Sequence, residues 1–141
     1  MSGQNVDTVR SVLEQWRTGA TEEILRHWEP DADYYPVRKF PEARPCHGLD
    51  EIGRFFDGFA DGWETFEFVP FSVIPVGDDK VFVQATIKAV ARDTSLALEG
   101  DLFHSIWLRH DRILRWEDHL TEAGAVRALG LEGSTIESAL D

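Results

Sequence analysis

A histidine and an aspartate stand in apolar strand patterns toward the C-terminal end of the chain. They are His104, in Leu102-Phe103-His104-Ser105-Ile106-Trp107-Leu108, and Asp118, in Ile113-Leu114-Arg115-Trp116-Glu117-Asp118-His119-Leu120. Read with a period of two, His104 shares a face with Leu98, Gly100, Leu102, Ile106 and Leu108. Asp118 shares one with Leu114, Trp116 and Leu120. Two titratable groups aimed into an apolar interior are expensive to bury unless they partner each other. Burial disfavours the carboxylate's charge and a neighbouring imidazolium favours it, so such a group can move protons near neutral pH. The same pair can also be a hydrogen-bonded device that sets strand register and does no chemistry.

Whether the two meet depends on the turn between them. A three-residue loop with Asp111 in the left-handed conformation preserves parity and places both on one face. A two-residue loop at His110-Asp111 places Glu117 opposite His104 instead. The first register aligns Leu102, Ile106 and Leu108 with Leu114, Trp116 and Leu120, which favours it.

Other residues invite weaker readings. Trp16, Tyr35, Phe59, Trp63 and Trp116 are expected to line an apolar cavity, with ordinary core as the competing role. Tyr35, at a strand end, is expected to donate to a ligand oxygen, and Tyr34 to point the other way, to solvent or an interface. Cys46-His47 is disfavoured as a thiol–imidazole couple, because sequence neighbours in a loop rarely hold that geometry. His110 on a turn and His119 on the face opposite Asp118 show no ligand spacing, so neither a metal nor a cofactor is expected. His27 is expected on a helix, solvated among Arg and Glu. Phe103, Trp107 and Ile113 form a second apolar set, expected to be buried in a homodimer through the convex sheet face.

The elements that must position these groups follow from periodicity. Val6, Val9, Val12, Leu13 and Trp16 repeat at helical spacing, with Gly19 as the stop. Thr21 opens a short second helix through Trp28, closed by Pro30, and Asp31 to Tyr35 reads as a short strand. Val37 to His47 reads as a Pro-rich loop over the pocket mouth, and Gly48 opens a third helix carrying Ile52, Phe55, Phe56, Phe59 and Trp63. From Thr65 the period becomes two, predicting strands over about 65–76, 80–92, 96–109 and 112–120. Turn residues separate them at Gly77-Asp78-Asp79, Arg92-Asp93-Thr94 and His110-Asp111. A short helix, Ala125 to Leu129, precedes a polar end. The order predicts one α+β domain over 1–141. It is a half-barrel: a curved antiparallel sheet whose concave face three helices from the N-terminal half cover.

Composition narrows the partners. The 141 residues, 43% of them apolar, suffice for one buried core, and five Trp with nine Phe point to an aromatic interior. A net charge of -12 argues against nucleic acid and anionic membranes, and the scattered Lys and Arg form no basic stripe. One cysteine, no apolar leader after Met1 and no membrane-length apolar run predict a cytoplasmic protein.

The element order, with four stretches of sequence, resembles the nuclear transport factor 2-like superfamily and, within it, the SnoaL-like domains. The stretches are His27-Trp28-Glu29-Pro30-Asp31-Ala32, Gly48-Leu49-Asp50-Glu51-Ile52 with Phe55, Phe56 and Phe59, Trp107 to Ile113, and Glu122 to Leu131. SnoaL-type members cyclise polyketides by an intramolecular aldol step and carry a histidine and an aspartate on the last two long strands, where His104 and Asp118 stand. Ketosteroid isomerases, also similar, keep a carboxylate base near the end of the first strand, where this chain has Tyr34, Tyr35 and Pro36. Limonene-epoxide hydrolases need an Arg and an Asp within the strand that here reads Val83-Gln84-Ala85-Thr86-Ile87.

Fold resemblance alone does not assign activity. The expectation is an isomerase- or cyclase-like enzyme binding an apolar carbonyl compound. Asp118 is its general acid/base, His104 its partner and Tyr35 a donor to the substrate oxygen. The alternatives are a non-catalytic binder of a small hydrophobic ligand and, behind it, a protein–protein adaptor.

Overall fold

A computed structural model describes residues 2–18, 20–37, 43–92 and 96–130. The elements run α1 (Ser2–Thr18), α2 (Thr21–Leu25), β1 (Trp28–Tyr35), β2 (Cys46–His47) and α3 (Gly48–Phe59), then a 3-10 turn. There follow β3 (Trp63–Val76), β4 (Lys80–Ala91), β5 (Ala97–Arg109), β6 (Arg112–His119) and α4 (Glu122–Ala128). Gly19, Asp93, Thr94, the middle of the Val37–His47 stretch and the tail from Leu131 lie outside the described residues.

The six strands form one curved sheet in the order β2-β1-β6-β5-β4-β3. The four long strands pair antiparallel as a meander, whereas β1 lies parallel to β6 with Tyr34 beside Trp116. The α+β expectation holds, and the sheet is mixed at its β1 end. One face packs on α1, α2 and α3 to make the main core, and α4 packs on the other.

Two helix boundaries differ from their sequence reading. Trp28 opens β1 rather than closing α2, because Trp28, Ala32 and Tyr34 all face the core at strand spacing. Pro30, with no N–H to give a ladder, sits in the irregular stretch between Trp28 and Asp33. His27 is correspondingly in the turn before β1, where its carbonyl accepts from the Ile113 amide at 2.7 Å. Trp63 opens β3, buried against Phe59 at 5.8 Å between ring centroids. Gly53 finds a role in packing: a Cβ there would lie 3.1 Å from Leu25, so its absence lets α2 and α3 close.

The hairpin joining β5 to β6 reaches the favoured alignment by another route. Arg109 pairs with Arg112, leaving a two-residue turn with His110 at φ 54° and Asp111 at φ 63°. That turn alone would set Glu117 against His104. The register shifts between Trp107, which pairs with Arg115, and Leu108, which pairs with Ile113. Leu114 is thus an extra residue in β6, a bulge that restores parity and sets Asp118 opposite His104. It also turns Ile113 into the main core at 0% exposure and leaves Leu120 49% exposed, reversing both expectations.

The convex apolar set is taken up inside the chain. Phe103 is buried with Phe82 and Ile74 under Ala125 and Val126 of α4 and Leu129 just after it, and Ser105 Oγ donates to the Ala125 carbonyl at 2.7 Å. With Ile113 on the opposite face, only the half-buried Trp107 remains of the three residues assigned to a dimer contact. No helix among the described residues is long and apolar enough to cross a membrane.

Both turn residues adopt left-handed φ, which Asn and Gly accept at lower cost. The double change His110→Asn, Asp111→Gly should therefore raise unfolding stability by about 0.5–1 kcal/mol. Denaturant midpoints check this, and an unchanged or lower midpoint would refute the turn assignment.

Candidate active site

Three strands bring their side chains to one carboxylate. From β5, His104 Nδ1 lies 2.6 Å from Asp118 Oδ1 across the ladder. From β1, the Tyr34 hydroxyl donates to Asp118 Oδ2 at 2.8 Å. From β6 itself, Trp116 Nε1 donates to Asp118 Oδ1 at 3.0 Å and also lies 3.1 Å from His104 Nδ1. The side chains of His104 and Asp118 are both 0% exposed, closed to solvent.

Proton accounting orders the network. Nδ1 and Oδ1 at 2.6 Å share a proton, and the same carboxylate also takes the Tyr34 and Trp116 donors, so it is the acceptor and Nδ1–H donates. Nδ1 then has no lone pair for Trp116, and the indole N–H belongs to Oδ1. An ionised Asp118 so placed accepts from a phenol, an indole and an imidazole. These are charge-assisted bonds that offset its removal from water. What remains is Nε2 of His104, buried with no hydrogen-bond partner among the described residues. Such an orphan costs about 1–3 kcal/mol, which the fold carries at this position.

An aromatic shell surrounds the imidazole. Trp116, Phe68 and Trp16 lie 5.5, 5.8 and 6.4 Å from it between ring centroids, all edge to face. Trp16 comes from α1 and is packed against Phe59, while Trp28 stacks on Trp116 and Phe56 stacks on Tyr34. Of the residues expected to line a cavity, Trp16 and Trp116 therefore contact the pair. Phe59 and Trp63 stand a layer further out as core. A surface cleft of about 350 Å³ between α1 and β3 is lined by Arg10, Leu13, Glu14 and residues 70–73, and includes neither His104 nor Asp118.

The two tyrosines exchange their expected places. Tyr34 is 1% exposed and faces the pair, whereas Tyr35 lies on the opposite face. There the Arg115 guanidinium sits 4.5 Å above the Tyr35 ring. Sequence reasoning missed Tyr34 although the signal is present: Trp28, Pro30, Ala32 and Tyr34 occupy every second position, and Glu29, Asp31 and Asp33 alternate with them. Starting the strand at Asp31 hid that alternation.

The remaining candidates separate cleanly. Cys46 is buried beside Tyr34 in the ladder and His47 is exposed on the other face, bound to Asp33 at 2.7 Å, so they form no couple. His119 pairs with Glu117 at 3.2 Å on the face away from Asp118, and His110 is an exposed turn residue. Among the described residues no three His, Cys, Asp or Glu side chains gather as a metal site.

Burial first, then the charge and hydrogen bond of Asp118, push the Tyr34 phenol well above its ordinary value near 10. Burial also pushes the Cys46 thiol up. Groups raised in the folded state contribute stability that is complete below their unfolded values and lost as pH rises through the folded ones. Denaturant unfolding should thus show stability falling as pH climbs past about 9–10, with a shallower fall in Tyr34→Phe. A Tyr34→Phe curve parallel to that of the parent protein would refute the buried phenol's part.

Comparison with known proteins follows this geometry. The model of the SnoaL-like domain matches residues 9–116, most of the chain but stopping short of Asp118. No curated protein gives a significant match. A nuclear transport factor 2-like protein of Burkholderia pseudomallei superposes with a TM-score of 0.73 at 21% identity, over 92% of this chain and 98% of that one. A putative SnoaL-like polyketide cyclase from Jannaschia gives 0.69 at 18% identity, over 92% of each chain. TerC, co-crystallised with polyporic acid, gives 0.70 at 18% identity, over 97% of this chain and 98% of that one. Identities this low speak for the fold alone. The family match and the six-stranded sheet with its helices agree, and the chain belongs to the SnoaL-like domain family.

Proposed function

We propose that this protein is an acid–base enzyme that moves protons on an apolar, cyclic carbonyl compound. The observation that carries the reading is the asymmetry of His104: Nδ1 is tied to a fully hydrogen-bonded carboxylate, and Nε2 is buried without a partner among the described residues. A base needs a lone pair held at a fixed position in a dry site, and Nε2 meets that description. His104 takes a proton from the carbon beside the carbonyl and returns it elsewhere, and Asp118 orients the ring and stabilises the imidazolium formed. This moves the exchanging role from Asp118, where the sequence suggests it, to its partner. The Trp16 indole N–H, also buried and unpartnered among the described residues, supplies the donor that Tyr35 cannot from the far face. The substrate reaches Nε2 by displacing aromatic packing at Trp16 and Phe68, which suits a flat apolar molecule.

A second reading, a carrier without chemistry, draws on one observation: both side chains of the pair are closed to solvent. Hydrogen–deuterium exchange separates the two. With 2-tetralone as probe in heavy water, exchange beside the carbonyl should exceed the buffer rate. Asp118→Asn and His104→Gln should each lower it by about 100-fold or more. Binding of the ketone without exchange would select the carrier reading. Exchange that survives both substitutions would end the assignment of the pair.

A further inference from the structure

We propose that Tyr34 is a positioning residue whose hydroxyl completes the donor set of Asp118 and so disfavours a proton on Nε2 of His104, leaving that nitrogen available as a base. The proposal rests on the acid–base reading above and adds to it a third strand and a mechanism of control. Oδ1 of Asp118 is already occupied by His104 Nδ1 and Trp116 Nε1, so among the described residues Oδ2 depends on the Tyr34 hydroxyl. With all three donors in place, the state in which Asp118 is ionised and His104 neutral is satisfied at each carboxylate oxygen. Remove the phenol and Oδ2 becomes a buried anionic oxygen without a donor. Taking up a proton relieves that cost. Nε2 is the position of the pair that no group occupies among the described residues, and an imidazolium formed there strengthens the Nδ1–H bond to the carboxylate, so the proton settles on Nε2 and the lone pair is lost.

The surroundings let this one hydroxyl matter. Trp16 of α1, Phe68 of β3 and Trp116 of β6 pack on the imidazole, and Phe55 and Phe56 of α3 pack on the Tyr34 ring. Cys46 of β2 lies beside Tyr34, its thiol pushed up by burial and by Glu51 and held back by Arg44. Tyr34 itself, with its ionisation pushed far upward, remains a hydrogen-bond donor throughout the neutral range. Low polarity around the pair makes each donor to the carboxylate count for more than it does in water.

The test follows the ring nitrogens of His104 by long-range proton–nitrogen correlation NMR across a pH series, with no substrate present. In Tyr34→Phe, protonation of Nε2 should set in about one to two pH units higher than in the parent, the size of one hydrogen bond to a charged group. Tyr35→Phe, which alters the far face, should leave the midpoint in place. The chain has only two tyrosines, so biosynthetic 3-fluorotyrosine in the Tyr35→Phe background labels Tyr34 alone. Its more acidic hydroxyl is a stronger donor and should move the midpoint down, a comparison that stands even if Tyr34→Phe folds poorly. Midpoints indifferent to both changes at Tyr34 would overturn the proposal. Midpoints that move while no variant exchanges 2-tetralone would keep Tyr34's role and remove the enzyme reading instead.

Discussion

A single buried carboxylate organises this protein. Asp118 has no exposed side-chain surface, and an ion removed from water is tolerable only if other dipoles replace its hydration. Three donors do so, from β1, β5 and β6, and each demands something of the backbone. Strand β1 must run parallel beside β6 so that Tyr34 falls next to Trp116 on the inner face. The β5–β6 ladder must carry an extra residue at Leu114, because its two-residue turn would otherwise oppose His104 with Glu117. Helix α1 must lie across the sheet to bring Trp16 over the imidazole, and Asn5 helps hold it there by donating to the Asp78 carbonyl at 2.7 Å.

The same constraint explains why the two sheet faces look so different. The inner face, under α1, α2 and α3, is almost wholly aromatic and aliphatic apart from the one network. The outer face is finished by α4, whose N-cap Thr121 accepts from the Gly124 amide at 3.0 Å and whose apolar residues cover Phe82 and Phe103. Next to it runs a charged chain, Arg115 to Glu117 at 2.6 Å and Glu117 to His119 at 3.2 Å, with Arg115 over the Tyr35 ring. Charges on that side have solvent and partners to hand. The inner carboxylate has only its own three donors among the described residues, and one imidazole nitrogen is left over.

The acid–base reading proposed above rests on that leftover nitrogen, which a purely structural pair has no use for. A histidine recruited only to set register gains by satisfying both ring nitrogens, since an unpartnered polar atom in the core is a standing cost. Here Nδ1 is fixed and Nε2 is buried without a partner among the described residues, inside an aromatic shell, at a cost to stability.

Local pattern by itself determined the class of fold, the four long strands to within about two residues, the helical faces of α1 and α3, and the candidacy of His104 and Asp118. Hydrophobic periodicity is a local property, and burial enforces it. Tertiary structure decided what periodicity cannot encode. Whether Trp28 ends a helix or opens a strand depends on Ile113 pairing beside it, more than eighty residues away. Whether Tyr34 or Tyr35 faces the carboxylate depends on which side of β1 the sheet presents to α3. Leu114 is an ordinary leucine in sequence, and only the pairing of two strands makes it the bulge that brings Asp118 to His104. The identity of the buried histidine–aspartate pair is therefore written in residue types. Its geometry, its third partner and its unclaimed nitrogen come from strand register, which is settled by the sum of contacts across the whole sheet rather than by any local stretch of chain.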